Sequence, residues 1–391
     1  MSGFFTGPRI AWGTGAVEQL SGLQARRAIV VADPAVAGQE GFRRVVEELE
    51  KSETSLATVT ADPGPPTVEH AQALARRFTA FGPDWIVAVG GGSVIDLAKT
   101  ARALFETPGL AAESLTPLAG LPHPSRARLV AVPTTSGRGS EASWSALLLN
   151  ADGDPVEPMH RDLVPYWALV DPAFAGGMPP GVALEAGVQP LAHAIEAYVS
   201  AWSNPFSDPL ALDAAAGAFQ ALPALERWDD AETSRARLHY CATTAGLAAS
   251  NAQLGLAHAL AAALVEPTGL SYGRLLGMAL VPTLAFNYGS ARDRFATISA
   301  AFAAASSRSS AEPRTAARPD EAIRTVLERL GFADSLRRAR LPEERMLRAR
   351  ERVVHRVVRS TAALSSPRVP TADEVGLLLD ALIGGGEWVP P

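Results

Sequence analysis

A chain of 391 residues exceeds what one ordinary core holds and suits two domains. Hydrophobic residues at 47% and charged residues at 19% exclude a disordered chain. The formal charge, 35 − 41 = −6, gives no general attraction to nucleic acid or to anionic membrane, and no basic run carries interleaved aromatics.

In chain order, Ala28 to Ala32 reads as a buried strand ending at Asp33-Pro34. Phe42, Val45, Val46 and Leu49 follow with helical spacing. Leu56 to Thr60 is a second strand, Pro63 to Pro66 a turn, and Val68 to Phe81 an amphipathic helix. Trp85 to Val89 is a third strand that runs into Gly90-Gly91-Gly92-Ser93, with a helix from Ser93 to Leu104. Leu129 to Val132 is another strand. Continuous apolar strands between helices predict a parallel sheet covered on both faces. After Pro179 the pattern becomes Ala-rich and helical, as in Val182 to Ser200, Pro209 to Leu222, Ser234 to Ser250 and Gly255 to Glu266. The expected division is an α/β domain over 1–179 and an all-helical domain over 180–391. Ser306 to Pro319, rich in Ser, Pro and Arg, is expected to be a loop.

The lone cysteine, Cys241, excludes an internal disulfide and fits a reducing cytosol. Within its Ala-rich stretch it reads as core rather than nucleophile. Met1 to Gln19 carries no secretory pattern, and Gly255 to Val265 is about half the length of a membrane span. A cytoplasmic location and no membrane partner are expected.

The segment from Val87 to Lys99 carries the most chemistry. A strand enters three glycines and then a helix. Glycines Gly90, Gly91 and Gly92 admit close backbone approach, and free amides at a helix start favour a phosphate. Ser93 can cap that helix and donate its hydroxyl. A tight turn without a ligand is the alternative. Val132 to Glu141 also follows a strand and offers Thr134, Thr135 and Arg138 to a dinucleotide. Asp33, at the end of the first strand, can accept hydrogen bonds from a ribose diol and repel a 2′-phosphate, which favours NAD over NADP. Arg138 pulls the other way if it lies near the ribose. Asp33 could instead serve an Asp-Pro turn.

Together these motifs resemble the iron-containing (group III) alcohol dehydrogenase family over nearly the whole chain. Arg9 to Ala16 is similar to the family's first hairpin, and Gly90 to Lys99, with Asp96, to its pyrophosphate loop. Pro133 to Glu141 is similar to its second nucleotide loop, with Arg138 in place of the usual threonine. Val170-Asp171-Pro172 and Met178-Pro179-Pro180 match the crossing into the helical domain, and His193 to Tyr198 matches the metal-ligand helix. Ser366-Pro367-Arg368 and Pro370-Thr371 match the closing motif. The resemblance implies a Rossmann-like domain, a helical domain, a dinucleotide in the cleft between them and a homodimer.

It also implies a metal site, and there the pattern departs. The family's aspartate and three histidines correspond to Gln189, His193, His258 and Tyr272, and a further active-site histidine to Ala262. Gln189 offers a neutral amide, and Tyr272 would have to lose a proton from a group of pKa about 10 to bind as an anion. No divalent metal is expected. The maleylacetate reductase branch also carries an amide at the aspartate position, and Ala192-His193 and Asn204-Pro205 resemble it in part. His70, His123, His160, His239 and His355 are read as surface or structural, and the Arg-rich run from Arg337 to Arg352 as a solvated helix face.

The implied function is an NAD(P)-dependent oxidoreductase that interconverts an alcohol and a carbonyl compound, with a small-molecule substrate larger than ethanol. Without a Lewis acid, His193, His258 and Tyr272 would stabilise the substrate oxygen, with Tyr272 as proton donor. Two alternatives stay open: a nonredox lyase or cyclase on the dehydroquinate synthase-like scaffold, and an NAD-binding pseudoenzyme.

Overall fold

The computed structural model describes residues 5–52, 54–61, 64–121, 126–226, 232–307, 318–332 and 343–384. The expectations for Pro63, for His123, for 308–317 and for Arg337 to Arg340 lie outside the described residues. The chain divides into two compact units, Met1–Met178 and Pro179–Pro391.

The first unit is built on strands β1 (Arg9–Trp12), β2 (Arg27–Ala32), β3 (Ser55–Thr60), β4 (Trp85–Gly90) and β5 (Arg128–Pro133), with a short antiparallel pair β6 (Leu148–Leu149) and β7 (Pro155–Val156), and then β8 (Trp167–Val170). Its six-stranded sheet has the order β1-β8-β5-β4-β2-β3, with every neighbouring pair parallel. Helices α1 (Glu40–Glu50), α2 (Val68–Phe81) and α3 (Gly92–Glu106) connect the strands. Alternation along each strand sends Ile29, Val31, Ile86 and Ala88 to one apolar layer with Phe78 and Ile95. Val30, Ala32, Val87 and Val89 go to the other layer, with Phe42, Val45 and Leu49. Burial on both faces explains why these strands are apolar without interruption.

Chain direction across the sheet reverses between β2 and β4. From β2 the chain moves out to β3, then returns past β2 to β4 and onward to β5. In an open parallel sheet the carboxyl ends at such a reversal form a ligand crevice. Those ends are Asp33 and the triple glycine.

The hairpin expected at Arg9 to Ala16 is corrected. β1 pairs in parallel with β8, and Gly13 and Gly15, at φ 100° and 90°, turn the chain into a 3-10 helix over Ala16–Gly22. Asp171 Oδ2 accepts from Gly15 N at 2.8 Å and closes that turn.

The second unit is helical among its described residues: α4 (Pro180–Val199), α5 (Ser207–Ala221), α6 (Glu232–Ala252), α7 (Leu256–Thr268), α8 (Tyr272–Tyr288), α9 (Arg292–Ser307), α10 (Pro319–Arg329), α11 (Glu343–Arg359), α12 (Thr361–Leu364) and α13 (Ala372–Gly384). Its core holds Ala211, Ala214 and Ala218 of α5 with Ala245 and Ala248 of α6, small residues that let helix axes approach closely. Among the described residues no single helix is long and apolar enough to cross a membrane.

Candidate functional site

The first unit places the triple glycine at the carboxyl end of β4. Gly91 is the N-cap of α3, with ψ 177° and no side-chain capping bond, and the first helical turn carries no acidic residue. Ser93 therefore does not cap α3; it sits exposed within the first turn. A helix start without a side-chain cap or a carboxylate suits an anion.

Packing is also close at each glycine, and closest at Gly90. A Cβ on Gly90 would lie 2.8 Å from Val94 Cβ, one on Gly91 3.2 Å from Thr135 Oγ1, and one on Gly92 2.9 Å from Ser140 Oγ. The spaces beside Gly91 and Gly92 are thus filled by the second loop, and the glycines let the two loops interlock. Thr134 N continues the ladder to Gly90 O at 3.0 Å, and the Thr134 residue is buried.

Asp33 packs beside Gly90, its Cβ 3.2 Å from where a Gly90 Cβ would stand. Its Oδ1 accepts from Ala35 N at 2.9 Å, so the Asp-Pro turn foreseen as the alternative does form, on one carboxylate oxygen. Asp96 lies inside the unit, 1% exposed. Its Oδ2 accepts from Leu147 N at 3.1 Å and from the Arg138 guanidinium. Asp96 thereby holds the second loop on α3. Lys99, fully buried, donates to Ser143 Oγ and Ser145 O, both at 3.0 Å. Burial lowers its pKa to about 8, against the pull of Asp96 and Glu141. The sequence marked Lys99 only as part of a motif; its spacing of three from Asp96 on the same helix is the signal that it has a partner.

The second unit brings three of the candidate residues together. His193 of α4 and His258 of α7 are 2% and 8% exposed. Tyr272 Oη, at the start of α8, lies 2.9 Å from His193 Nε2 and 2.7 Å from His258 Nδ1. One hydroxyl thus serves two imidazoles. With its O–H given to one ring nitrogen and its lone pair accepting N–H from the other, the two rings share one tautomer, both Nδ1–H or both Nε2–H, because they meet the hydroxyl through His193 Nε2 and His258 Nδ1.

Local sequence explains the convergence. Ser271 caps α8 by accepting from Arg274 N at 3.2 Å. Gly273 lets α8 meet α4, since a Cβ there would lie 2.2 Å from Glu185 O. Gln189 sits one turn before His193; its Nε2 donates to Glu185 O at 3.1 Å, while its buried Oε1 has no hydrogen-bond partner. Ala262 is buried one turn after His258.

Glu196 is the residue that sequence reasoning passed over. It lies one turn after His193, and its Oε1 accepts from Ala257 N at 2.7 Å and His258 N at 3.3 Å. It thereby caps α7 from another helix. Gly255 makes room, because a Cβ there would stand 2.7 Å from that oxygen. Burial raises the Glu196 pKa, opposed by His258 and by the backbone amides it caps. Its spacing from His193 was visible in the sequence; its reach to α7 was not.

The remaining expectations divide. Cys241 is buried and burial pushes its thiol up to about 12, which leaves it unreactive. His160 and His239 are buried, and burial lowers His239 to about 4. Arg350 and Arg352 of α11 pair with Asp380 of α13 and Glu266 of α7, so that face ties helices together as well as meeting solvent.

Family models match both units. The iron-containing alcohol dehydrogenase model covers residues 7–172, and the model of the Fe-containing alcohol dehydrogenase family's C-terminal region covers 183–383. An alcohol dehydrogenase of Thermococcus barophilus is 32% identical over 301 residues, spanning 74% of this chain and 78% of its own. An NADPH-dependent butanol dehydrogenase of Clostridium saccharobutylicum is 30% identical over 298 residues, spanning 75% and 76%. The solved structure of an iron-containing alcohol dehydrogenase from Thermococcus thioreducens matches with a TM-score of 0.87 at 28% identity, over 98% of this chain and all of the other.

Proposed function

Because this chain belongs to the iron-containing alcohol dehydrogenase family, we propose that it interconverts an alcohol and a carbonyl compound with a nicotinamide dinucleotide and without a catalytic metal. The amides of Gly91 to Ser93 would receive the diphosphate and the Asp33 carboxylate the ribose, with NAD favoured over NADP. When bound, the nicotinamide supplies or accepts the hydride.

The metal-free reading is supported by the donor set. Among the described residues no three His, Cys, Asp or Glu side chains form a metal-holding group. Gln189 and Tyr272 bring a neutral amide and a neutral phenol where a divalent ion wants anionic or imidazole donors. The nitrogens that would bind such an ion both face the Tyr272 oxygen.

In carbonyl reduction, Tyr272 Oη gives its proton to the substrate oxygen as negative charge builds there. The histidine that donates N–H to Tyr272 passes that proton to the phenolate as its other ring nitrogen takes one from solvent, so the ring ends neutral in the opposite tautomer. In alcohol oxidation the same chain runs backward. The observation that carries this reading is the single hydroxyl held at 2.9 and 2.7 Å between two buried imidazoles. The test pairs NADH and NADPH titration with turnover of Tyr272→Phe on an aldehyde and ketone panel. Nucleotide binding retained, with turnover down roughly 100- to 10,000-fold, is expected for loss of a general acid. Wild-type turnover in that variant would remove the role. Absence of NAD(P)-linked turnover in the wild type would favour a nonredox enzyme or an inert binder.

A further inference from the structure

We infer that Arg138 grips the diphosphate common to NAD and NADP and does not read the 2′-phosphate that distinguishes them. The inference rests on the dinucleotide reading of the triple-glycine corner.

The two ends of that corner have different neighbours. Gly90 faces Asp33, the acidic residue at the ribose end. Gly92, at the start of α3, faces Arg138, whose Nε lies 3.2 Å from where a Gly92 Cβ would stand. Asp96, one turn further along α3, pairs with the Arg138 guanidinium and fixes it beside the helix start. A guanidinium tethered there lies by the amides that would receive phosphate oxygens, and away from the acidic residue that would face a 2′-substituent.

The Arg138 side chain is only 14% exposed, so water screens its charge weakly. From sequence, Arg138 argued for NADP only if it lay near the ribose; its capture by Asp96 holds it at the start of α3 instead.

The test is fluorescence titration of wild type, Arg138→Thr and Arg138→Lys with NADH, NADPH and ADP. Arg138→Thr is expected to weaken all three by roughly 10- to 100-fold, the worth of a charge-assisted hydrogen bond, with the NADH-to-NADPH ratio unchanged. Arg138→Lys, which keeps the charge and loses the planar fork, is expected to show a smaller loss at the same ratio, and it carries the test if the threonine variant does not fold. Loss confined to NADPH would overturn the inference in favour of 2′-phosphate reading. Unchanged affinity for all three would reduce Arg138 to a brace between loops. A wild type that binds none of them would instead bring down the dinucleotide reading itself.

Discussion

Glu196 holds the backbone amide of His258 from a different helix, its Oε1 3.3 Å from that nitrogen and 2.7 Å from the amide of Ala257. His258 therefore sits where α4 sets it, and His193 leaves the same helix one turn earlier. A single buried carboxylate couples both imidazoles to one frame. Glu196→Ala removes the cap, which typically costs about 0.5–2 kcal/mol. It is expected to lower kcat while leaving NADH affinity and KM near wild type. Glu196→Gln, which can still accept from both amides, should restore most of the turnover. A glutamine variant as impaired as the alanine variant would argue against the positioning role.

Gly273 predicts a sharper mechanical effect. A methyl group there would collide with the Glu185 carbonyl at 2.2 Å and with Gln189 Nε2 at 2.6 Å. The carbonyl is backbone, so α8 must shift. Gly273→Ala should destabilise the protein by at least the roughly 1–3 kcal/mol of ordinary overpacking and move the adjacent Tyr272 off its histidines. Urea unfolding checks the first part and turnover the second. A wild-type unfolding midpoint would contradict the close approach.

Lys99 gives a pH dependence with a definite sign. Its pKa falls from 10.5 to about 8 through burial. Below about pH 8 the ammonium is charged in both states and the folded state bears the full desolvation cost. Between about pH 8 and 10.5 the folded state binds fewer protons than the unfolded chain, so stability gains with rising pH from this group, by on the order of 3 kcal/mol. Comparing unfolding free energies of wild type and Lys99→Met across that window isolates the contribution. Parallel pH profiles would mean that Lys99 titrates normally in the folded protein.

Much of the first unit was legible because a buried parallel strand needs uninterrupted apolar residues. Arg27–Ala32, Trp85–Gly90 and Arg128–Pro133 fall within a residue or two of expectation. Trp167–Val170 escaped notice because four residues after Pro165 and Tyr166 carry too little pattern, and its pairing with Arg9–Trp12 is long-range. The hairpin expectation came from resemblance, and local sequence carries no sign of so distant a partner. At the glycine corner the sequence pointed to ligand access, whereas Gly91 and Gly92 also lie in close contact with the Thr135 and Ser140 side chains of the second loop. The convergence of His193, His258 and Tyr272 came from resemblance; no spacing rule links positions on three helices. Glu196 and Asp96 act through backbone amides distant in sequence, a relationship only folding reveals.

The most direct test of the metal-free account is carbonyl reduction by chelator-stripped protein whose metal content has been measured. Full NAD(P)H-linked turnover without metal, unchanged on adding ferrous or zinc ions and abolished by Tyr272→Phe, is the predicted result. Activity that disappears on stripping and returns with either ion would contradict it.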